Sequence, residues 1–97
     1  MDEHTLKALR GSIRKWESIV SGLGEDLRSV NCSLCIEFPE CEGCPVVERT
    51  GQDECEGSPY YETWRAKQNF GRDSIEYMQT AMAEVDFLKS LLPENEQ

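Results

Sequence analysis

The placing of the cysteines constrains this chain more than any other feature. All five lie between residues 32 and 55, as Cys32-x-x-Cys35, Cys41-x-x-Cys44 and a single Cys55. A Cys-x-x-Cys unit forms a tight turn that directs two thiolates at one metal ion, and tetrahedral zinc accepts two such units. The pattern therefore predicts a zinc site drawn from Cys32, Cys35, Cys41, Cys44 and Cys55, and leaves open which four of the five bind.

Disulfides, an iron–sulfur cluster and uncommitted thiols remain alternatives to zinc. Full disulfide pairing leaves one of five thiols over, and the spacing before Cys44-Pro45 differs from the ferredoxin cluster run. Redox activity of a Cys-x-x-Cys unit depends on a helix N-terminus that lowers the thiol pKa. We expect Cys32 and Cys35 to follow a helix in an acidic setting that raises their pKa, which disfavours redox activity.

The residues before the cysteines carry a long helical pattern. Apolar residues recur at alternating spacings of three and four, a heptad repeat that predicts one helix over residues 2–31 with an apolar stripe. The stripe comprises Leu6, Leu9, Ile13, Trp16, Val20, Leu23, Leu27, Val30 and Leu34. Glycine weakens a helix interior, so Gly22 and Gly24 leave open a break there.

The residues after the cysteines predict a second helix, over residues 58–92. Ser58 is a suitable cap and Pro59 suits the first helical position, while Pro93 begins a polar tail over residues 93–97. One heptad frame of this helix contains Tyr61, Trp64, Ile75, Met78, Met82, Val85 and Leu92. The stripes make core packing the expected role of both Trp16 and Trp64.

These elements predict an all-α fold in a single domain, residues 1–97. It is an antiparallel helical hairpin whose helices, about 45 Å long at 1.5 Å per residue, are joined by a cysteine-rich metal-binding loop over residues 32–57. The hairpin places Trp16 near Ile75 and Leu9 near Met82. Because one helix interface cannot cover both stripes, we expect a homodimer that forms a four-helix bundle. The alternative is a monomer whose loop covers the exposed stripe.

The negative charge of the chain is concentrated on the cysteine segment. The formal net charge is −9, and residues 32–59 contain seven acidic residues and one basic residue, a net −6. Such a segment repels phosphate backbones, so nucleic acid is an unlikely partner. We expect a protein partner, one with a basic surface, that docks on Glu37, Glu40, Glu42 and Glu48. The alternative is a nucleic-acid-binding regulator that uses Lys7, Arg10, Arg14 and Lys15 on the first helix.

Other classes of protein find little support in the sequence. No apolar run approaches the roughly 20 residues that cross a bilayer, and the chain opens without a signal-peptide pattern. We therefore expect a cytoplasmic protein without a membrane partner. Because the chain has a single histidine and no recognisable catalytic constellation, we do not expect an enzyme.

About a third of the chain resembles a group of short cysteine-rich proteins of unknown function from bacteriophages and prophages. The matching residues are Cys32, Cys35, Cys41, Cys44, Pro45, Cys55, Ser58, Pro59, Tyr60 and Trp64. The resemblance implies a phage-encoded modulator or inhibitor of host or defence machinery that acts in the host cytoplasm. It implies no catalytic residues.

Overall fold

The first helix, α1 (Glu3–Val20), is shorter than its apolar pattern. Asp2 caps its start by accepting a hydrogen bond from the Thr5 amide at 2.8 Å, and Glu3 lies in its first turn. After Val20 the chain turns at Gly22, whose φ of 84° is left-handed, and the Leu23 and Gly24 amides both bond to the Ser18 carbonyl. The helix predicted over residues 2–31 therefore ends at Val20, and the break that Gly22 and Gly24 left open does occur.

The computed structural model describes residues 1–52 and 55–97, and within these ranges it contains helices and no strand. The all-α prediction is confirmed. After α1 come α2 (Ser33–Glu37), α3 (Pro45–Thr50), α4 (Tyr60–Phe70) and α5 (Ile75–Ser90), with 3-10 turns at Arg28–Asn31 and Glu94–Glu96.

The segment predicted as a loop over residues 32–57 contains two short helices. Cys32 caps α2, and its sulfur accepts a hydrogen bond from the Cys35 amide. Pro45 opens α3, as suits a residue without an amide hydrogen, and Gly51 at φ 73° ends it. Both helices are too short to be stable alone, so packing on the rest of the chain must hold them.

The helix predicted over residues 58–92 is divided into α4 and α5. Gly71, at φ 88°, ends α4, and Ser74 caps α5 by accepting the Tyr77 amide at 3.1 Å. Four residues link the two helices, which pack against each other. The prediction of one continuous helix is wrong here for the same reason as in α1.

The hairpin predicted between two long helices is replaced by an antiparallel pairing of α1 with α5. Glu17 lies 3.2 Å from Lys89, and Arg10 pairs with Glu96, so the two helices run in opposite directions. The register differs from the predicted one, because Ile75 and Met82 are 73% and 53% exposed. The buried face of α5 consists of Tyr77, Ala81, Glu84, Val85 and Leu88.

The core draws on every helix and leaves part of the predicted stripe in solvent. Leu9, Ile13 and Trp16 are buried in α1, whereas Leu23 and Val30 are 89% and 75% exposed beyond its end. The longest dimension of the Cα trace is 37 Å, shorter than the predicted helices. The cysteine segment thus folds back onto the helices and becomes part of one compact body.

Candidate metal centre

All five cysteines line one cleft of about 890 Å³. They reach it from α2, α3 and the connections beside them, while α1, α4 and α5 contribute the other walls, including Lys15, Tyr60 and Glu84. All five carry free thiols. The structure therefore brings together every cysteine that the sequence nominated as a metal ligand.

Cys32 and Cys35 form the most ordered part of this cleft. The Cys35 amide donates to the Cys32 sulfur at 3.2 Å, and the Ser12 hydroxyl lies 3.9 Å from the same sulfur. Ser12 also accepts the Leu34 amide at 3.2 Å, so its hydroxyl fixes α2 on α1. An amide that points at sulfur stabilises a thiolate, which is the form that binds a metal or attacks a disulfide.

The electrostatics of this pair follow from its hydrogen bonds. The bond with the Cys35 side chain, helped by the Cys35 amide and by Ser12, lowers the pKa of Cys32 to about 6 against the effect of burial. The same bond, together with burial, raises the pKa of Cys35. The expectation of a raised pKa agrees with Cys35 and is wrong for Cys32, because Cys32 caps the start of α2 as well as following the 3-10 turn.

Cys41 and Cys44 lie at the two ends of a tight turn. The Cys44 amide donates to the Cys41 carbonyl at 3.1 Å, and Cys41 itself adopts φ 66°. A side chain with a Cβ rarely takes this left-handed conformation, and local strain of this kind is concentrated at functional sites. Cys44 is buried, and burial raises the pKa of its thiol.

Cys55 is the second cysteine with a left-handed backbone, at φ 65°. Its carbonyl accepts the buried Ser58 hydroxyl at 2.7 Å and the Ser58 amide at 3.2 Å, which ties it to the start of α4. Burial, followed by the nearby carboxylate of Glu84, raises the pKa of Cys55 to about 12. Cys55 is thus part of the cysteine cluster and not a distant spare thiol.

Glu84 is a member of this cleft that the sequence reasoning missed. It is 3% exposed, it lines the cleft from α5, and its Oε1 has no hydrogen-bond partner among the described residues. Burial, followed by the proximity of Cys32, raises the pKa of Glu84 to about 7. Its signal in the sequence is weak: Ala81 and Leu88, three residues before it and four after, are apolar and share its helix face.

Lys15 and Asp26 form a buried ion pair beside the same cleft. The Lys15 nitrogen lies 2.8 Å from Asp26, and both side chains are less than a tenth exposed. Lys15 also donates to the Arg28 carbonyl at 3.3 Å, so this pair holds the segment after α1 in place. Lys15, a cation that lines the cleft with the thiols, is therefore already bound to a carboxylate.

Whether these residues can bind zinc depends on the chemistry of their ligand atoms and on the distances between them. Thiolates and carboxylates are both zinc ligands, and an unpartnered buried carboxyl oxygen suits a cation. In the part of the chain that the structure describes, however, no three histidine, cysteine, aspartate or glutamate side chains stand together as a ready metal-binding group. The donor set fits zinc, and binding requires thiols that share one cleft to move closer together.

The acidic residues predicted to bind a partner lie between the cysteines of this segment. Glu37 ends α2, Glu40 and Glu42 flank Cys41, and Glu48 lies in the first turn of α3. All four are exposed, so they are free to meet another molecule. Two further acids of the segment, Asp53 and Glu54, lie outside the described residues.

The basic residues of the nucleic-acid alternative do not form one free surface. Lys15 is buried against Asp26, and Arg10 pairs with Glu96. Lys7 and Arg14 remain exposed on α1. Half of the predicted basic face is thus occupied by ion pairs within the chain.

The two tryptophans differ in environment. Trp16 is 3% exposed and meets the ring of Tyr60 edge to face at 6.0 Å, as a core residue does. Trp64 is 38% exposed at the cleft, with the Arg28 guanidinium 5.7 Å from its ring centre. The expectation of core packing is correct for Trp16 and wrong for Trp64.

The fold and the site together define a small all-helical protein with a cleft lined by five thiols. Comparison with protein-family models, curated proteins and solved structures found no match to this chain. Among the described residues, no helix combines the length and the apolar character needed to span a bilayer.

Proposed function

We propose that this protein is a small zinc-stapled helical protein that binds another protein through an acidic surface. The observation that supports it is the convergence of all five cysteines on one cleft, which the exposed Glu40 also lines, in a segment of the chain that carries further exposed carboxylates. Zinc has a structural role in this proposal: it cross-links α2, α3 and the start of α4, which are short or irregular elements with few interactions of their own.

The charge of the bound site strengthens the acidic surface. Four anionic ligands around one divalent ion leave about two negative charges in the cleft. Glu40 lines that cleft, and Glu37, Glu42 and Glu48 are exposed in the same segment of the chain. Complementary charge raises association rates and selects partners with a basic surface. A modulator or inhibitor of host or defence machinery, in a phage setting, is the role that the resemblance implies for such a surface.

A charge-reversal experiment tests the acidic surface. A variant with Glu37, Glu40, Glu42 and Glu48 all changed to lysine is compared with wild type for capture of proteins from the natural host. A matched control reverses four exposed acids elsewhere: Glu3, Glu17, Glu76 and Asp86. We expect the first variant alone to lose a salt-sensitive partner that mass spectrometry then identifies. Equal capture by both variants and wild type would remove the acidic surface from the proposal.

A homodimer is also part of the proposal. Several large apolar side chains are well exposed in the single chain, including Leu23, Val30, Ile36 and Ile75 at 65% or more. Light scattering on the metal-loaded protein should report twice the 11.1 kDa mass of one chain. A mass of one chain at all concentrations would show that the protein functions as a monomer.

Thiol–disulfide exchange is a second candidate function, because the Cys35 amide and the Ser12 hydroxyl both approach the Cys32 sulfur. The Cys32 thiolate attacks one sulfur of a small disulfide substrate and expels the other as a thiolate. Cys35 then attacks the Cys32 sulfur, releases the second thiolate and gives up its proton. The substrate gains two electrons as two thiols, and the protein is oxidised to a Cys32–Cys35 disulfide.

Thiol release from glutathione disulfide tests this second function on metal-free reduced protein. Wild type should release two thiols per chain, and Cys35→Ser should stop at a mixed disulfide after one. Cys32→Ser serves as the control without the attacking sulfur. If wild type releases thiols no faster than Cys32→Ser, the exchange function is excluded.

A further inference from the structure

Glu84 is buried in the wall of the cleft that the five cysteines also line. It projects from the middle of α5 and is 3% exposed, while its neighbours on the same face, Ala81 and Leu88, are ordinary core residues. Glu84, Cys32 and Cys55 line the same cleft. The carboxyl group therefore opens onto the space that these two thiols also reach.

One oxygen of this carboxylate lacks a hydrogen-bond partner among the described residues. Oε1 meets no hydrogen-bond donor in residues 1–52 and 55–97. Lys15, a cation that lines the same cleft, is bound to Asp26 at 2.8 Å. Removing an ionised carboxylate from water without a partner is strongly unfavourable, so a buried one usually meets a cation, a donor or a proton.

We infer that Glu84 is an oxygen ligand of the metal ion in this cleft, beside the thiolates of Cys32 and Cys55. The inference rests on the proposed zinc site and changes its ligand set. Zinc accepts a carboxylate oxygen together with thiolates, and a bound ion supplies the positive partner that Oε1 lacks. The site is then a mixed thiolate–carboxylate centre that fastens α5 directly to the start of α2.

Charge balance favours this arrangement over two Cys-x-x-Cys units alone. With four thiolates as ligands, the site carries about two negative charges, and an unbound Glu84 must either add a third or take up a proton. With three thiolates and Glu84 as ligands, the total stays at about two and the carboxylate has a partner. The second arrangement uses Cys55, which the paired units leave over, and leaves two of the other four cysteines unbound.

Metal affinity and cobalt absorption test the role of Glu84. Zinc affinity is measured by competition with a chromophoric chelator, for wild type, Glu84→Gln and the control Glu76→Gln on the exposed side of α5. The glutamine keeps the size and removes the charge. Loss of a supporting residue around a metal costs about 10–100-fold in affinity, so Glu84→Gln should lose at least tenfold and Glu76→Gln nothing. Bound Co²⁺ should show a shifted visible spectrum only in Glu84→Gln.

Two outcomes separate this inference from the proposed function. If wild type binds no zinc, the zinc site itself is wrong and the role of Glu84 falls with it. If wild type binds zinc, and Glu84→Gln matches it in affinity and in cobalt spectrum, only the role of Glu84 is wrong.

A second variant decides the matter if Glu84→Gln fails to fold. Glu84→Cys places a thiolate where the oxygen was, so it should retain Co²⁺ and add to the sulfur-to-cobalt charge-transfer absorption. Absorption equal to wild type in that band would show that position 84 does not contact the metal.

Discussion

At the scale of single residues, the main finding is that two of the five thiols stand on a left-handed backbone. Cys41 and Cys55 have φ values of 66° and 65°, whereas Cys44 has an ordinary φ of −63°. A left-handed conformation costs a residue with a Cβ roughly 1–2 kcal/mol. The rest of the fold therefore holds these two cysteines where their sulfurs reach the cleft.

Substitutions at Cys41 should reveal this strain in metal-free protein. Cys41→Gly removes the Cβ and should be more stable than Cys41→Ser by about 1 kcal/mol. Urea unfolding in the presence of a chelator measures the difference. At Cys44 the order should reverse, because glycine there only adds freedom to the unfolded chain. Equal stability of the two Cys41 variants would mean that its backbone relaxes without the thiol.

The cap of α1 should depend on pH through Asp2. The hydrogen bond from the Thr5 amide lowers the pKa of Asp2 below 3.8, so the folded state favours the ionised form. The stabilisation is present above pH 3.8 and is lost as the pH falls through the lowered pKa. Asp2→Ala should therefore lower the melting temperature at pH 7, and the difference from wild type should shrink below pH 3.8. Asp2→Asn, which caps without ionising, should differ little from wild type at pH 7. If the melting temperature of Asp2→Ala stayed below that of wild type by the same amount down to pH 2, the charge of Asp2 would have no role.

At the scale of helices, the crossing of α1 and α2 explains a glycine that weakens the helix pattern. A Cβ at Gly11 would lie 2.8 Å from the Ser33 Cβ and would overlap its hydroxyl oxygen. Glycine thus lets α2 approach α1 closely enough for the Leu34 amide to reach Ser12. This contact carries Cys32 and Cys35 to the cleft.

Gly11→Ala should destabilise the protein although alanine favours helices. Overpacking costs about 1–3 kcal/mol, which exceeds the gain in helix propensity of about 1 kcal/mol. Thermal unfolding measures the loss. The double variant Gly11→Ala with Ser33→Gly removes the Cβ that the new methyl group would meet. It should lose less stability than the sum of the losses of the two single variants. Strict additivity of the two changes would place the helices further apart than the structure does.

The buried face of α5 can be tested by placing a charge on either side of its boundary. Ala81 is completely buried and Met82 is 53% exposed. Ala81→Glu should cost about 3–5 kcal/mol, the price of an uncompensated buried charge. Met82→Glu should change stability by less than about 0.5 kcal/mol, as most surface substitutions do. Chemical denaturation measures the stability of both variants. If the predicted face were the buried one, Met82→Glu would be the more destabilising change.

The sequence predicted the helical class and the cysteine cluster, but not the helix ends or the helix faces. Periodicity marks where apolar residues recur, yet Gly22 and Gly71 end helices inside patterns that continue past them. In α5 the predicted core face contained the large apolar residues Ile75 and Met82, but these are exposed. The buried face contains Tyr77 and Glu84 instead. Hydrophobic periodicity assigns charged residues to the surface, so it could not predict that Glu84 is buried. That position is explained only by the thiols on the other side of the cleft.

Across the molecule, the cysteine segment contributes residues to the hydrophobic core and does not project from it. Leu34, Cys44 and Val46 are buried with the residues of α1 and α5. A domain of this size buries a modest share of its surface, and the short α2 and α3 add little stability of their own. A metal bound only by the folded state would supply the missing stability by mass action.

We propose that the cleft with the five thiols binds one zinc ion, which stabilises the fold. Native mass spectrometry of anaerobically purified protein tests this, with circular dichroism before and after removal of metal by a strong chelator. We predict one zinc ion per chain, and a loss of helical signal on chelation that returns when zinc is added. A chain that carries no metal, and whose helical signal does not change with chelator, would contradict the claim.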